Sequence, residues 1–274
     1  MLGAIIGDIV GSRFEGRPHK RKDFEFFHKT CRFTDDSVLT LATAYTLFKA
    51  QGNCADLTNS IIQNFQKFGK MYPHRGYGGG FKNWLYSENP QPYNSWGNGA
   101  AMRVSPCGFF GKNLAEVKLL SRLVTEVTHN HPEGLKGAEA TAVAVFLAKI
   151  GKTIPEIKKY ICENYYDINF TLDDIRSTYG FDVSCQGSVP QALEAFFEST
   201  SYEDTIRHVI SIGGDADTLA AIAGGVAEAY YGIPKDLQRK AIPYLDDTFK
   251  NILNQAYKKL KIKMYFENWL KYLF

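Results

Sequence analysis

The 274-residue chain carries 32 Lys and Arg against 29 Asp and Glu, a formal charge of +3, with 45% hydrophobic and 22% charged residues. Such a length can bury a sizeable core, the composition is that of a globular protein, and so small a net charge argues against nucleic acid or a membrane surface as partner. The five cysteines, Cys31, Cys54, Cys107, Cys162 and Cys185, are odd in number and nowhere form a C-x-x-C pair. Reduced thiols are therefore expected rather than a disulfide framework or a zinc site. The apolar start Met1–Ile6 is followed by Asp8 and preceded by no basic stretch, so no signal peptide or membrane span is expected, and the cytoplasm is the expected compartment.

The periodicity is helical almost throughout. Between Asp36 and Ala50 the apolar positions Val38, Leu41, Ala42, Tyr45 and Phe48 recur at helical spacing. Asn113 with Glu116 three residues on predicts a helix start, with Val117, Leu120, Val124 and Val127 on one face. Thr153-Ile154-Pro155-Glu156 combines an N-cap, an early proline and an acid at the third position, opening a helix to about Tyr166. Ser188 and Ser201 are read as caps of two further helices, the second turning Ile206, Val209 and Ile210 inward. No segment shows sustained alternation with β-branched residues. The expected fold is all-α, a single domain over residues 1–274, and a monomer.

Two stretches carry paired carboxylates at the mouth of an apolar helix. Gly213-Gly214-Asp215-Ala216-Asp217-Thr218 leads into Leu219–Ala227, so rich in Ala and Gly that other helices must surround it. Far upstream, Phe33-Thr34-Asp35-Asp36-Ser37 repeats the arrangement. Capping explains one residue of each group but leaves a second carboxylate unexplained in both. Thr34, Asp35, Asp36, Asp215, Asp217 and Thr218 make an all-oxygen set, which suits Mg²⁺, Mn²⁺ or Ca²⁺ and disfavours zinc. Four carboxylates carry enough charge for two divalent ions.

Other segments are less specific. Arg75–Gly80 and Asn94–Gly99 are glycine-rich loops of the kind that approach ligands closely, the second also holding Trp96 and Asn98. Asp8, inside an apolar stretch, reads as the brace of a buried loop. Glu15 by itself reads as a surface acid, and Arg17–Lys22 as a solvated basic loop. In Thr128–Pro132 a histidine near a helix end has a simple dipole explanation. The His-Asn-His string shares a name with a nuclease motif but lacks its ββα context. From Ile242 to Phe274, Lys258, Lys259, Lys261 and Lys263 read as the solvated face of a basic helix.

Taken in order, Gly7–Glu15 (Gly-Asp-Ile-Val-Gly-Ser-Arg-Phe-Glu), Phe33–Ser37, Ser95–Arg103 (Ser-Trp-Gly-Asn-Gly-Ala-Ala-Met-Arg), Thr128–Pro132 and Gly213–Thr218 resemble the blocks of the ADP-ribosylhydrolase family. That family includes the bacterial dinitrogenase-reductase-activating glycohydrolase. The resemblance runs from about residue 3 to about residue 232. It implies a compact all-helical fold around two Mg²⁺ ions, with Mn²⁺ as the substitute, held by Thr34, Asp35 and Asp36 on one side and Asp215, Asp217 and Thr218 on the other. It also implies an ADP-ribose cradle at Ser95-Trp96-Gly97-Asn98-Gly99. There Ser95 and the backbone amides would meet phosphate, Asn98 ribose, and Trp96 adenine, with His129 beside ribose or phosphate. Glu15 matches a loop glutamate that takes part in catalysis in the serine-directed branch.

The expected reaction is hydrolysis of the bond from C1 of the distal ribose to a modified group on a protein or small conjugate, releasing ADP-ribose. Asp35, Asp36 or Glu15 would act as base and a carboxyl as acid. Arginine N-glycosides, serine O-glycosides, O-acetyl-ADP-ribose and modified nucleic acids are all candidate linkages, and Phe14-Glu15 leans towards O-linked ones. Two other classes fit the same residues: a catalytically silent ADP-ribose-binding or crystallin-like structural protein, and a metal-dependent nucleotide phosphohydrolase. A lost metal position would support the first, and all six are filled.

Overall fold

A computed structural model describes residues 1–17 and 19–262. In chain order the helices are α1 (Leu2–Gly11), α2 (Asp35–Ala50), α3 (Leu57–Met71), α4 (Gly79–Tyr86), α5 (Ser105–Phe110), α6 (Leu114–Thr125) and α7 (Pro132–Lys149). They continue with α8 (Ile154–Asn164), α9 (Leu172–Arg176), α10 (Cys185–Phe197), α11 (Tyr202–Ile210), α12 (Ala216–Tyr231), α13 (Lys235–Ala241) and α14 (Asp247–Lys259). Among the described residues there is no strand, only an isolated antiparallel bridge between Gly97 and Ser184. The all-α expectation holds. No helix among the described residues is long and apolar enough to cross a membrane.

The centre of the fold is the seam between α1 and α12. Gly3, Gly7 and Gly11 stand one turn apart on α1, facing Gly224, Ala220 and Ala216 on α12. A Cβ on Gly7 would sit 2.0 Å from the carbonyl oxygen of Ala220, and one on Gly3 would sit 2.4 Å from that of Gly224. Backbones this close leave room for no side chain, which is why the Ala- and Gly-rich run of α12 is buried from Ala216 to Glu228. At the far end of the seam, Glu228 accepts from the backbone N–H of Gly3 (2.8 Å), from the amine of Met1 and from the Tyr257 hydroxyl, tying α1, α12 and α14 together. Helices α7, α10 and α11 pack around α12, and α2 lies against α1, α5 and α14.

The local signals explain most boundaries. Thr153 and Glu156 form the reciprocal capping box of α8, which ends at Asn164, two residues short of Tyr166. Asn113 caps α6 by accepting from Glu116 N–H (2.9 Å), while the Glu116 carboxylate reaches Lys112 rather than Asn113. Ser201 caps α11, and Ile206, Val209 and Ile210 are buried. Ser188 does not start a helix. The cap is Ser184, accepting from Gly187 N–H (3.0 Å), and α10 runs through Pro190. The Ser188 hydroxyl instead donates to the carbonyl of Asp182 (3.0 Å). The basic loop after α1 is also less solvated than its composition implies, because Lys20 donates to the carbonyls of Tyr179 and Ile212. In the basic C-terminal stretch, Lys258 and Lys259 close α14, whereas Lys263 and everything after it lie outside the described residues.

Replacing Gly7 by alanine tests the seam. Alanine normally favours a helix by about 1 kcal/mol over glycine, whereas a Cβ forced into this contact costs about 1–3 kcal/mol through overpacking. Gly7→Ala is expected to lower the melting temperature by a few degrees. An unchanged or raised melting temperature in a thermal melt would contradict the packing described here.

Candidate active site

The seam brings the last turn of α1 against the first turn of α2. Asp8 is fully buried there and accepts four hydrogen bonds: from Thr34 N–H (2.8 Å), Thr34 Oγ1 (2.7 Å), Ser37 N–H (3.1 Å) and the Ser37 hydroxyl. Asp8 is thus the brace that the sequence implies. Thr34 caps α2 by accepting from Asp36 N–H, and its hydroxyl stands 3.2 Å from Asp36 Oδ2. The other oxygen of Asp36, Oδ1, is buried with no hydrogen-bond partner.

The second half comes from the entrance to α12. Gly213 and Gly214 both adopt positive φ (74° and 79°), a backbone open to glycine at little cost. Two such residues in succession turn the chain sharply into Asp215, Asp217 and Thr218. Asp8, Asp36 and Asp217 each offer an oxygen within 4.8 Å of the other two, and so do Glu15, Asp215 and Asp217. Asp217 belongs to both triplets.

Both triplets adjoin one cavity of about 310 Å³, whose wall includes Glu15, Asp35, Asp36, Asp215, Asp217 and Thr218. The same wall includes Ser95, Gly97, Asn98, Gly99 and His129. Asn98 joins the two groups, its side-chain amide donating to Asp215 (2.8 Å) and to Ser188 (3.1 Å). The cradle is held in place by a short antiparallel contact, with Asn98 N–H donating to Val183 and Cys185 N–H to Trp96. Ser95 Oγ accepts from Gly97 N–H at 3.1 Å.

Burial decides the electrostatics. It pushes Asp35 up to about 8, with the charge of Asp8 adding to the effect. Asp8 is pushed up to about 6 even though its hydrogen bonds oppose the shift. Asp36 and Asp217 are raised well above the usual carboxylate range by burial and by neighbouring carboxylates, and Asp215 is raised by burial. Glu15 is raised by burial and by Asp215, with Arg32 opposing. A set of carboxylates this hard to ionise together takes either protons or a cation. The all-oxygen donors, the shared Asp217 and the orphaned Asp36 Oδ1 fit a hard divalent ion.

The family model described as ADP-ribosylglycohydrolase matches residues 1–264. The chain belongs to the ADP-ribosylglycohydrolase family. As a member it is a hydrolase of ADP-ribose linkages. Human ADP-ribosylhydrolase ARH3 is 25% identical to it, with 94% of this chain and 93% of the human protein aligned. The ADP-ribosylarginine hydrolase Tri1 of Pseudomonas putida (strain GB-1) is 26% identical over 85% of this chain and 70% of its own length. A solved structure described as an ADP-ribosylglycohydrolase-related protein complex matches with a TM-score of 0.70, covering 96% of each chain at 21% identity, which shows a shared fold.

Within this ADP-ribosylglycohydrolase, most residues singled out in the sequence converge, and two stand apart from the cavity wall. Thr34 lies behind it, bonded to Asp8. Trp96 is half exposed with its ring edge-on to His131 (centroids 5.3 Å). The sequence reading missed Asp8 as a member of an acidic triplet, and it missed the apolar wall of Leu39, Phe81, Tyr93, Met102, Phe181 and Val183. It also missed Arg103, which is on the wall and fully buried.

The raised carboxyls make a prediction about pH. Each keeps its proton to higher pH when folded than when unfolded, so the folded state without cation loses stability as pH rises from about 4 towards about 8. A divalent cation replaces those protons, so its stabilising effect grows over the same interval. Thermal melts in chelator and in Mg²⁺ should show a larger increment from the cation at about pH 8 than at about pH 5. Equal increments would contradict a cation site in these carboxylates.

Proposed function

We propose that this chain hydrolyses the glycosidic bond between C1 of the distal ribose of ADP-ribose and a modified side chain, in a reaction that depends on two Mg²⁺ ions, with Mn²⁺ as the substitute. The observation that carries this reading is the pair of acidic triplets sharing Asp217 beside the glycine cradle, in one cavity. Asp35, Asp36, Asp215, Asp217, Thr34 and Thr218 are the proposed ligands. When bound, the ions supply Lewis acidity towards ribose hydroxyls and water.

The protein's own groups do the rest. Ser95, the backbone amide of Gly99 and the ring of His129 receive the pyrophosphate, because glycines admit an anion to backbone N–H groups. Asn98 sits between cradle and carboxylates and sets the position of the ribose between them. Trp96, half exposed next to Ser95 and Gly97, offers its face to adenine at the rim. Glu15 is the exposed member of the acidic set, on a loop, and still within a triplet with Asp215 and Asp217. It can exchange protons with solvent and is the proposed base towards the attacking water.

Glu15→Gln is expected to lower kcat by about 10²–10⁴-fold while leaving ADP-ribose affinity within a few-fold, and an equal loss of both would remove its role as base. Asp217→Asn is expected to abolish turnover and the response to Mg²⁺, since it removes the carboxylate common to both triplets. Undiminished turnover by that variant in chelator would end the metal reading. Across a panel of arginine, serine and acetyl conjugates of ADP-ribose, the oxygen-linked substrates are expected to turn over fastest, because Phe14-Glu15 matches the loop glutamate of the serine-directed branch. ADP-ribose is the expected product, and release of inorganic phosphate instead would make the site a phosphohydrolase.

A further inference from the structure

Arg103 is fully buried, and among the described residues no carboxylate lies within ion-pair distance of it. Its guanidinium lies over the Phe65 ring (4.7 Å to the centroid). Its Nε and Nη1 have no hydrogen-bond partner. Burial pushes the group down to about 10, still above neutrality. An unpaired guanidinium in a protein interior is expensive, and its one remaining nitrogen shows what it does. Nη2 lies 2.5 Å from Thr128 Oγ1 and 3.3 Å from His129 Nδ1. Thr128 Oγ1 is in turn 2.7 Å from the same Nδ1.

These contacts fix where the imidazole proton is. A guanidinium has only donors, so an N–H on Nδ1 would face Arg103 Nη2 and could be received only by Thr128 Oγ1, whose own hydroxyl would then have to turn to the more distant Thr125 carbonyl at 3.4 Å. With Nδ1 accepting, the Thr128 hydroxyl donates to it at 2.7 Å while accepting from Arg103, no donor faces a donor, and the ring proton sits on Nε2. The other edge of the ring faces the cradle. Nε2 lies 3.5 Å from where a Cβ on Gly97 would be, and 3.4 Å from where one on Gly99 would be. The absent side chains leave that space to a ligand.

We propose that Arg103 is a positioning residue that holds His129 as a neutral imidazole with its proton on Nε2, a fixed donor to an anionic oxygen lying over Gly97 and Gly99. The identity of that anion as the substrate's pyrophosphate rests on the function proposed above; the tautomer does not. Around the ring, the loop before the cradle contributes Tyr93 (centroids 5.7 Å), the segment entering α5 contributes Arg103, the α6–α7 link contributes Thr128, and α7 contributes Gly134. Arg103 and Tyr93 are its titratable neighbours. Burial and the Arg103 charge both hold His129 well below its ordinary range. The positive charge that an anion favours is thus supplied from behind the ring by a group that does not titrate near neutrality, and it polarises the Nε2–H bond.

Nitrogen-15 NMR of histidine-labelled, ligand-free protein tests this directly, with the His129 signal assigned by its loss in His129→Gln. The expected result is the Nε2–H tautomer, unchanged from about pH 5.5 to about pH 8. An Nδ1–H tautomer, or titration to imidazolium in that interval, overturns the proposal, and both are read from the wild-type protein. Arg103→Met leaves in place the burial that chiefly holds His129 neutral, so the ring should stay neutral while an Nδ1–H population appears. ADP-ribose binding by calorimetry should then weaken about tenfold, as the fixed Nε2–H donor to the anion is lost. Arg103→Lys should restore the wild-type tautomer. Affinity for ADP-ribose that is unchanged in Arg103→Met also overturns the proposal. If wild-type protein shows the tautomer yet binds inorganic pyrophosphate and not ADP-ribose, the substrate reading fails and the role of Arg103 stands.

Discussion

Asp8, Asp36 and Asp217 each place a carboxylate oxygen within 4.8 Å of the other two, and all three residues are buried. Taking a carboxylate out of water costs several kcal/mol even after relaxation, and a charged hydrogen bond returns about 1.5–3 kcal/mol. Asp8 receives four such bonds and is still pushed up to about 6. Asp36 retains an oxygen with no bond at all. Burial wins at this site, and the structure concentrates negative charge that its own donors do not satisfy. That imbalance suits the cluster to divalent cations better than to a set of helix caps.

Such closeness depends on how tightly the helices approach. The glycines of α1 and the small residues of α12 let two backbones touch, bringing Asp8 at the end of one helix beside Asp217 at the start of the other. Asp8 then fixes α2 by bonding its cap, Thr34, and its first turn at Ser37, which sets Asp35 and Asp36. The seam, the brace and the site are one construction. A side chain added in the seam would displace the carboxylates as well as loosen the core.

How much of this could be read from the chain depends on whether the signal was local. The doublets Asp35-Asp36 and Asp215/Asp217 stood out because a helix start uses one carboxylate and each stretch has two. Ser95–Gly99 stood out because a tryptophan and an asparagine sat among glycines. Both readings needed only neighbouring residues. Asp8 was seen as a brace but not as part of the cluster, since its closeness to Asp217 is set by the three-glycine register of α1 against α12, 209 positions apart by number (8 against 217). Ser188 reads as a cap because it precedes the apolar helical run through Gln191–Phe197. The chain instead starts α10 a turn earlier, at Ser184, and Gly187 gives way to the Asp182 carboxylate, which would overlap a Cβ there. Phe181 and Val183 gave no signal, because an exposed apolar residue is common and only the contact of their loop with Trp96–Asn98 puts them on the cavity.

The two halves of the cavity make complementary demands. One concentrates carboxylates beyond what hydrogen bonds can satisfy, and the other offers amides, a hydroxyl and a ring N–H in a space kept clear by glycine. Asn98, bonded to Asp215, couples them. A ligand carrying diol and diphosphate answers both demands at once, and ADP-ribose is such a ligand. The most direct measurement is anomalous diffraction from crystals grown with Mn²⁺ and ADP-ribose. Two manganese peaks flanking the Asp217 carboxylate, one towards Asp36 and one towards Asp215, with the diphosphate over Gly97 and Gly99, are the predicted result. ADP-ribose bound with no manganese at Asp217, or manganese bound away from these carboxylates, would contradict the account.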